Sequence, residues 1–375
     1  MDIEVEDQPF DLDFHPSESI VAAGLITGRL QLFRYDDSLS HSQTLWSTTA
    51  HNESCRAVRF VDGGRSVLTA SPDCSILSTN VETGQPIARL DNAHGAAINR
   101  LVNLTDTTIA SGDDDGTIKV WDTRQNSCCN KVEAHEDYIS DMEFVPDTKQ
   151  LLVTSGDGRL SVCSIRKNKV HARSEFSEDE LLSVVLMKHG KKVLCGSQEG
   201  VLLLYSWGYF NDCSDRFVGH PSSVDALLKL DEDTLLTGSS DGIIRVVSIL
   251  PNKMIGVIGE HGNYPIERLA FSCDQKVLGS ASHDHVLKLW DAKYLHEDDG
   301  TRVEAQEVGN GANEDMDLDV DVEKRGHDLD SKLDFVKSQE YFLRHKDPRE
   351  RGNQKRVKRQ LKSRPLIFLQ IYSHN

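Results

Sequence analysis

The chain has 375 residues, 38% hydrophobic and 27% charged, with a formal net charge of −18. This is the composition of a globular protein long enough to bury a sizeable core, and its acidity excludes a general electrostatic grip on nucleic-acid phosphates. No apolar run approaches the roughly 20 residues that cross a bilayer, and acidic side chains fill Met1 to Asp13, where a secretory leader needs a basic start, so a soluble intracellular protein is expected.

In chain order, the apolar runs fall into units of one period. The first is read over 10–36, with a tight turn at Gly28. The second, 51–84, opens at His51, and the third, 94–124, opens at His94. The third unit shows the pattern in full: strand-like runs at Ile98 to Leu104, Thr108 to Gly112 and Thr117 to Asp122, with Asp115-Gly116 between the last two. Acidic-glycine pairs between apolar runs signal tight hairpins, because glycine accepts the positive φ that such turns require. The fourth unit, 135–166, opens at His135 and turns at Gly158. The fifth, 176–208, lacks the histidine: its place falls near Phe176 to Glu178, while the following run, Leu181 to Met187, and the turn glycine Gly200 are kept. The sixth, 220–250, and the seventh, 261–293, open at His220 and His261. Successive histidines lie 43, 41, 85 and 41 residues apart, and the long gap is two periods.

Seven units of three strand-like runs each predict an all-β ring, a seven-bladed β-propeller over residues 1–294, followed by a tail over 295–375. The units resemble WD repeats, with the Trp-Asp pair intact at Trp121-Asp122 and Trp290-Asp291. In that family a His, a Ser or Thr, a turn Asp and a Trp form a hydrogen-bonded set inside a blade. The matching sets here are His94, Ser111, Asp115, Trp121 and His261, Ser280, Asp284, Trp290. Partial sets remain at His51, Thr69, Asp73 and at His220, Thr237, Asp241. These positions give the histidines a structural use, and no phosphate loop, nucleophile elbow or metal-spaced His/Glu pair is present. No catalytic residue, metal, cofactor or small-molecule substrate is therefore expected. The eight cysteines carry no C-x-x-C spacing and are expected to be buried free thiols.

Trp121-Asp122-Thr123-Arg124 resembles the W-D-x-R box of WD proteins that dock on the damaged-DNA-binding adaptor of cullin-4 ubiquitin ligases. That resemblance implies that Trp121, Asp122 and Arg124 form the docking site; the plainer alternative is that Arg124 follows a blade strand into solvent. The stretches Glu53 to Phe60, Ala134 to Ser140, Phe176 to Val184 and Leu203 to Gly208 are together similar to the WD repeat-containing protein 55 family, closest to its plant members. The resemblance implies a protein-binding scaffold of the nucleus and nucleolus, with the cytoplasm open. It further implies roles in ribosomal RNA processing among pre-ribosomal proteins and, in plants, cullin-4 adaptor binding and reproductive and embryo development.

Residues 297–334 hold 14 acidic and 4 basic side chains with few bulky apolar ones, so a largely disordered segment is expected. Residues 344–364 reverse the sign with 10 basic and 2 acidic side chains. Lys355, Arg356, Lys358 and Arg359 are read there as a nuclear import signal, with an RNA contact as the alternative.

Overall fold

A computed structural model describes residues 1–296. The acidic and basic segments, with the import candidates Lys355, Arg356, Lys358 and Arg359, lie outside the described residues. Within them the chain forms seven antiparallel sheets of four strands each, and no α-helix.

Blade one consists of Pro9–Phe14, Ile20–Leu25, Arg29–Tyr35 and Ser42–Thr49. The next five blades repeat this order, beginning with Ala57–Val61, Ile98–Thr105, Ile139–Val145, Leu181–Met187 and Val224–Lys229. Blade seven takes Ile266–Phe271, Val277–Ser282 and Val286–Asp291 from the end of the ring, and its fourth strand is Asp2–Glu4 from the beginning. Asp2, Ile3 and Glu4 pair with Lys288, Leu287 and Val286, and Ile3 and Val5 are buried there. One sheet built from both ends of the ring closes it and leaves no bare third strand.

Each first strand packs against the first strands of its two neighbours, and blade one packs against blade seven, so the seven first strands surround the axis. Second strands are almost wholly apolar or small and fully buried, as in Ile20–Leu25 and Val277–Ser282. Fourth strands alternate exposed and half-buried residues, as in Lys253–Glu260, because one sheet face packs and the outer edge meets water. The packing between blades forms separate apolar clusters, for example Val145, Leu152, Leu181 and Val193 between blades four and five.

The turn between the second and third strands has a fixed geometry in all blades. Gly28, Gly116, Gly158, Gly200 and Gly242 occupy one equivalent position with φ between 73° and 81°, and Cys74 and His285 adopt positive φ at that position without being glycine. A side chain at Gly116 would run into the carbonyl of His135 in the crossover to the next blade, so the turn and the crossover pack backbone to backbone.

Between first and second strands the register slips by one residue in six of the seven blades, as between Ile98 and Arg100 or Ile139 and Asp141. Such bulges re-aim one side chain per blade. The residues so placed are Phe10, Asn99, Ser140, Leu182, Asp225 and Glu267.

Of the cysteines, Cys55, Cys163 and Cys195 are buried, whereas Cys128, Cys129 and Cys273 are exposed. The expectation of buried thiols fails for the last three because they lie on an outer strand and a turn.

Candidate functional site: the blade networks, the axis and Arg124

The histidine sets are hydrogen-bonded blade by blade. In blade seven His261 Nδ1 lies 2.7 Å from Asp284, His261 Nε2 lies 2.7 Å from Ser280 Oγ, and Trp290 Nε1 donates to the same oxygen at 2.9 Å. The donor count closes with one assignment: Nδ1–H donates to the carboxylate, the Ser280 hydroxyl donates to Nε2, and the hydroxyl oxygen accepts from the indole. Burial lowers the His261 pKa, which favours this neutral imidazole.

Blade three departs from the expected set. His94 Nε2 meets Ser111 at 2.6 Å and Trp121 donates to Ser111 at 2.8 Å, but His94 Nδ1 bonds Asp113 at 2.7 Å and not Asp115, which is exposed. Asp113 occupies the position of Ser71, Ser155 and Ser282, at the end of the second strand. There it accepts from the backbone N–H groups of Asp115 at 3.1 Å and Thr117 at 2.8 Å. In other blades a serine and a turn aspartate divide this work, as Ser71 accepts from the Asp73 N–H and Asp73 from the Ser75 N–H. One carboxylate at the serine position reaches both the turn and the imidazole, and Asp115 is left in solvent.

The partial sets also differ. His51 meets Thr69 at 2.8 Å and Asp73 at 3.2 Å, as its residues suggested. His220 meets Thr237 at 2.9 Å, but Asp241 is taken by Arg245 at 3.0 Å, so His220 Nδ1 is buried without a partner. His135 pairs with Asp157 at 2.9 Å, while its Nε2 has no partner because Val153 stands where Thr69, Ser111, Thr237 and Ser280 stand elsewhere. In blade five the Ser177 N–H donates to Gly158 O at 2.9 Å, the contact that His135 makes with Gly116, so Ser177 holds the missing histidine's place.

Around the axis lies a second polar network, whose residues carry no repeat signal in the sequence. Arg59 bonds the fully buried Asp11 at 2.6 Å, and Arg268 of blade seven lies 3.4 Å from Asp11 and 3.2 Å from Asp141 of blade four. Arg268 thus bridges the ring from one side to the other. Burial raises Asp13 to about 6, Asp225 to about 7 and Glu143 to about 8. These are values at which a carboxyl group exchanges protons near neutrality, yet each is held by the fold: Asp13 accepts from Phe60 N–H, Glu143 from Leu186 N–H and Asp225 from Ser223 Oγ. Neither the cavity lined by Phe176 and Tyr205 nor the one lined by Tyr35 and Cys273 is lined by a residue of this network.

Arg124 lies in the turn between Thr117–Asp122 and Ser127–Glu133, on the face opposite the histidine crossovers. Its Nη2 and Nε donate to the two oxygens of Asp122 at 2.7 and 3.2 Å, and the Asp122 carboxylate also accepts from the Arg124 N–H at 2.9 Å. These bonds hold Asp122 down at about 2. Asp122 is 10% exposed and Arg124 is 65% exposed, so a nearly buried carboxylate fixes a guanidinium whose remaining N–H groups face solvent. Trp121 is buried in the blade and presents no surface to a partner, so of the expected docking trio Arg124 is the group that reaches outward. In blade seven Lys293 lies 3.9 Å from Asp291, without the fork geometry.

Comparison with known proteins agrees with this construction. The WDR55 family model matches residues 1–295. WD repeat-containing protein 55 of Arabidopsis thaliana is 60% identical over 298 residues, covering 79% of this chain and 84% of the relative. The human protein of the same name is 41% identical over 294 residues (78% of this chain, 77% of the relative), and WD repeat-containing protein JIP5 of Cryptococcus neoformans is 40% identical over 306 residues (78% and 81%). A seven-bladed ring with its repeat networks in place, matched along its whole length by one family model, makes this chain a member of the WDR55 family of WD-repeat proteins.

Proposed function

We propose that this protein is a non-catalytic docking scaffold that binds the damaged-DNA-binding adaptor of cullin-4 ubiquitin ligases through Arg124, and so presents a substrate to the ligase. The observation that carries the reading is the forked pairing of Arg124 with the nearly buried Asp122, which aims an exposed guanidinium from the face of the ring. A fixed, planar donor group loses little freedom when it meets a carboxylate or carbonyl of a partner. The repeat histidines support the non-catalytic reading, because their ring nitrogens are spent on blade partners or sealed in the blade. The axial arginines likewise are spent on carboxylates.

The test is capture of the purified adaptor by the wild-type protein and by Arg124→Ala, with circular dichroism to show that both fold alike. Loss of capture in the variant alone is the expected result. Absence of capture by the wild type refutes the proposal.

A second reading, a scaffold in ribosomal RNA processing, is favoured by a separate feature of the same face. Lys149, Arg166, Lys167, Lys169 and Lys191 in blades four and five form no ion pair among the described residues, and the Ile165 N–H bond to Lys149 O joins two of their turns. Such a sector, with the basic run at Lys355 to Arg359, would meet RNA phosphates with an affinity that falls steeply with salt. The same run is proposed as the nuclear import signal, and exclusion of a fluorescent Lys355→Ala, Arg356→Ala, Lys358→Ala, Arg359→Ala fusion from the nucleus is the expected outcome.

A further inference from the structure

Blade five, like blade one, lacks the repeat histidine, and a cavity of about 400 Å³ opens beside it. Where blade three has His94, Ser111, Lys119 and Trp121, this blade has Ser177, Cys195, Leu203 and Tyr205, so a packed polar set gives way to shorter or apolar groups. The fourth strand, Asp215–Val218, has four residues, the shortest of the six that follow their own third strand. The chain between them bulges out instead, and its Asn211 O accepts from the Glu175 N–H at 2.7 Å, which ties the bulge to the crossover from blade four. The cavity lies between these two segments.

Tyr209 and Val218 of the same blade are 80 and 75% exposed, and Phe176, 61% exposed, lines the cavity. Its floor is apolar, with Val201, Leu203 and Tyr205. Five carboxylates line it, those of Glu175, Glu178, Asp179, Glu199 and Asp212, and none forms an ion pair among the described residues. Arg216 is the one lining cation, and its Nε points to Cys213 Sγ at 3.2 Å.

We propose that this cleft is a docking site for an extended basic segment of a partner protein, one that carries a bulky apolar residue between lysines or arginines. The apolar side chain enters the cavity over Val201 and Leu203 and beneath Phe176. The flanking cations meet the unpaired carboxylates at its edge. The site is separate from the Arg124 surface, so either can fail without the other.

The test measures fluorescence anisotropy of a labelled Lys-Leu-Arg-Phe-Lys peptide on the full-length protein. Two labelled controls are Lys-Gly-Arg-Gly-Lys, which keeps the charge, and Glu-Leu-Glu-Phe-Glu, which keeps the apolar groups. The first peptide should bind at least about tenfold tighter than either control. Glu178→Lys/Glu199→Lys should weaken it by about tenfold or more, and so should Ser177→His, which returns the repeat's own side chain to the cavity. Glu53→Lys/Glu136→Lys alters two exposed acids on the crossovers of other blades and should change binding by less than about twofold. The proposal is overturned by no binding of the first peptide, by equal binding of the glycine peptide, or by equal loss in the Glu53/Glu136 variant.

Discussion

Replacing Asp113 or Asp115 by alanine separates the two ways of assembling the blade-three network. Asp113 is 3% exposed and accepts three hydrogen bonds, from His94 Nδ1, Asp115 N–H and Thr117 N–H. Asp113→Ala strands two buried donors, the His94 ring and the Thr117 N–H, because the Asp115 N–H is close enough to solvent to be hydrated. A buried donor without its acceptor costs about 1 to 3 kcal/mol, so with two stranded the variant should lose about 2 to 6 kcal/mol. Asp115→Ala removes an exposed carboxylate and should change stability by no more than about 0.5 kcal/mol. Equilibrium urea unfolding followed by tryptophan fluorescence reads the difference. At an m-value of about 3 kcal/mol/M the Asp113 variant should unfold about 0.7 M or more earlier, with its slope unchanged. If Asp115→Ala shifts the midpoint as far, or Asp113→Ala shifts it by less than about 0.3 M, the assignment of the carboxylate is wrong.

The remaining predictions concern pH, closure and an unfilled partner position. Burial holds His220 down at about 4 and lowers His51 and His261, so the unfolded chain takes up protons first; stability present above about pH 6.5 should be lost as pH falls from there towards 4. Glu143 runs the other way: burial raises it to about 8, the folded chain keeps a proton the unfolded chain has released, and stability is lost as pH rises from about 4.5 through 8. Glu143→Gln should therefore raise the urea midpoint at pH 8.5 more than at pH 5, and an equal change at both would contradict the placement of that proton. Deleting residues 1–5 removes Ile3 and Val5 from the core and bares Val286–Asp291; a loss of about 4 kcal/mol or more in thermal melting and self-association in size-exclusion chromatography are expected. Val153→Thr supplies the hydroxyl that His135 Nε2 lacks and should add about 1 kcal/mol, read as a melting point higher by about 2 °C. A lower melting point would show that the hydroxyl does not reach the ring.

The seven units, their strand order and the blade-seven network were legible in the sequence, because each depends on residues close together in the chain. The alternation of apolar runs, the acidic-glycine turns and the spacing of His51, His94, His135, His220 and His261 repeat a local rule, and local rules leave a periodic trace. The tertiary structure decided what depends on residues brought together through space. Asp2–Glu4 carries no repeat signal, and it is a strand because Val286–Asp291 offers it an edge at the other end of the ring. Asp113 displaced Asp115 because a side chain at the end of a packed strand reaches the imidazole, whereas spacing alone favours the turn residue that serves in blades two, four and seven. Arg268 meets Asp141 across the axis although the two are 127 positions apart in the chain, a pairing that only ring closure creates. Arg124 was visible as a motif, but its exposure and the burial of Asp122 beside it follow from where the blade ends, since packing decides which polar groups keep their water.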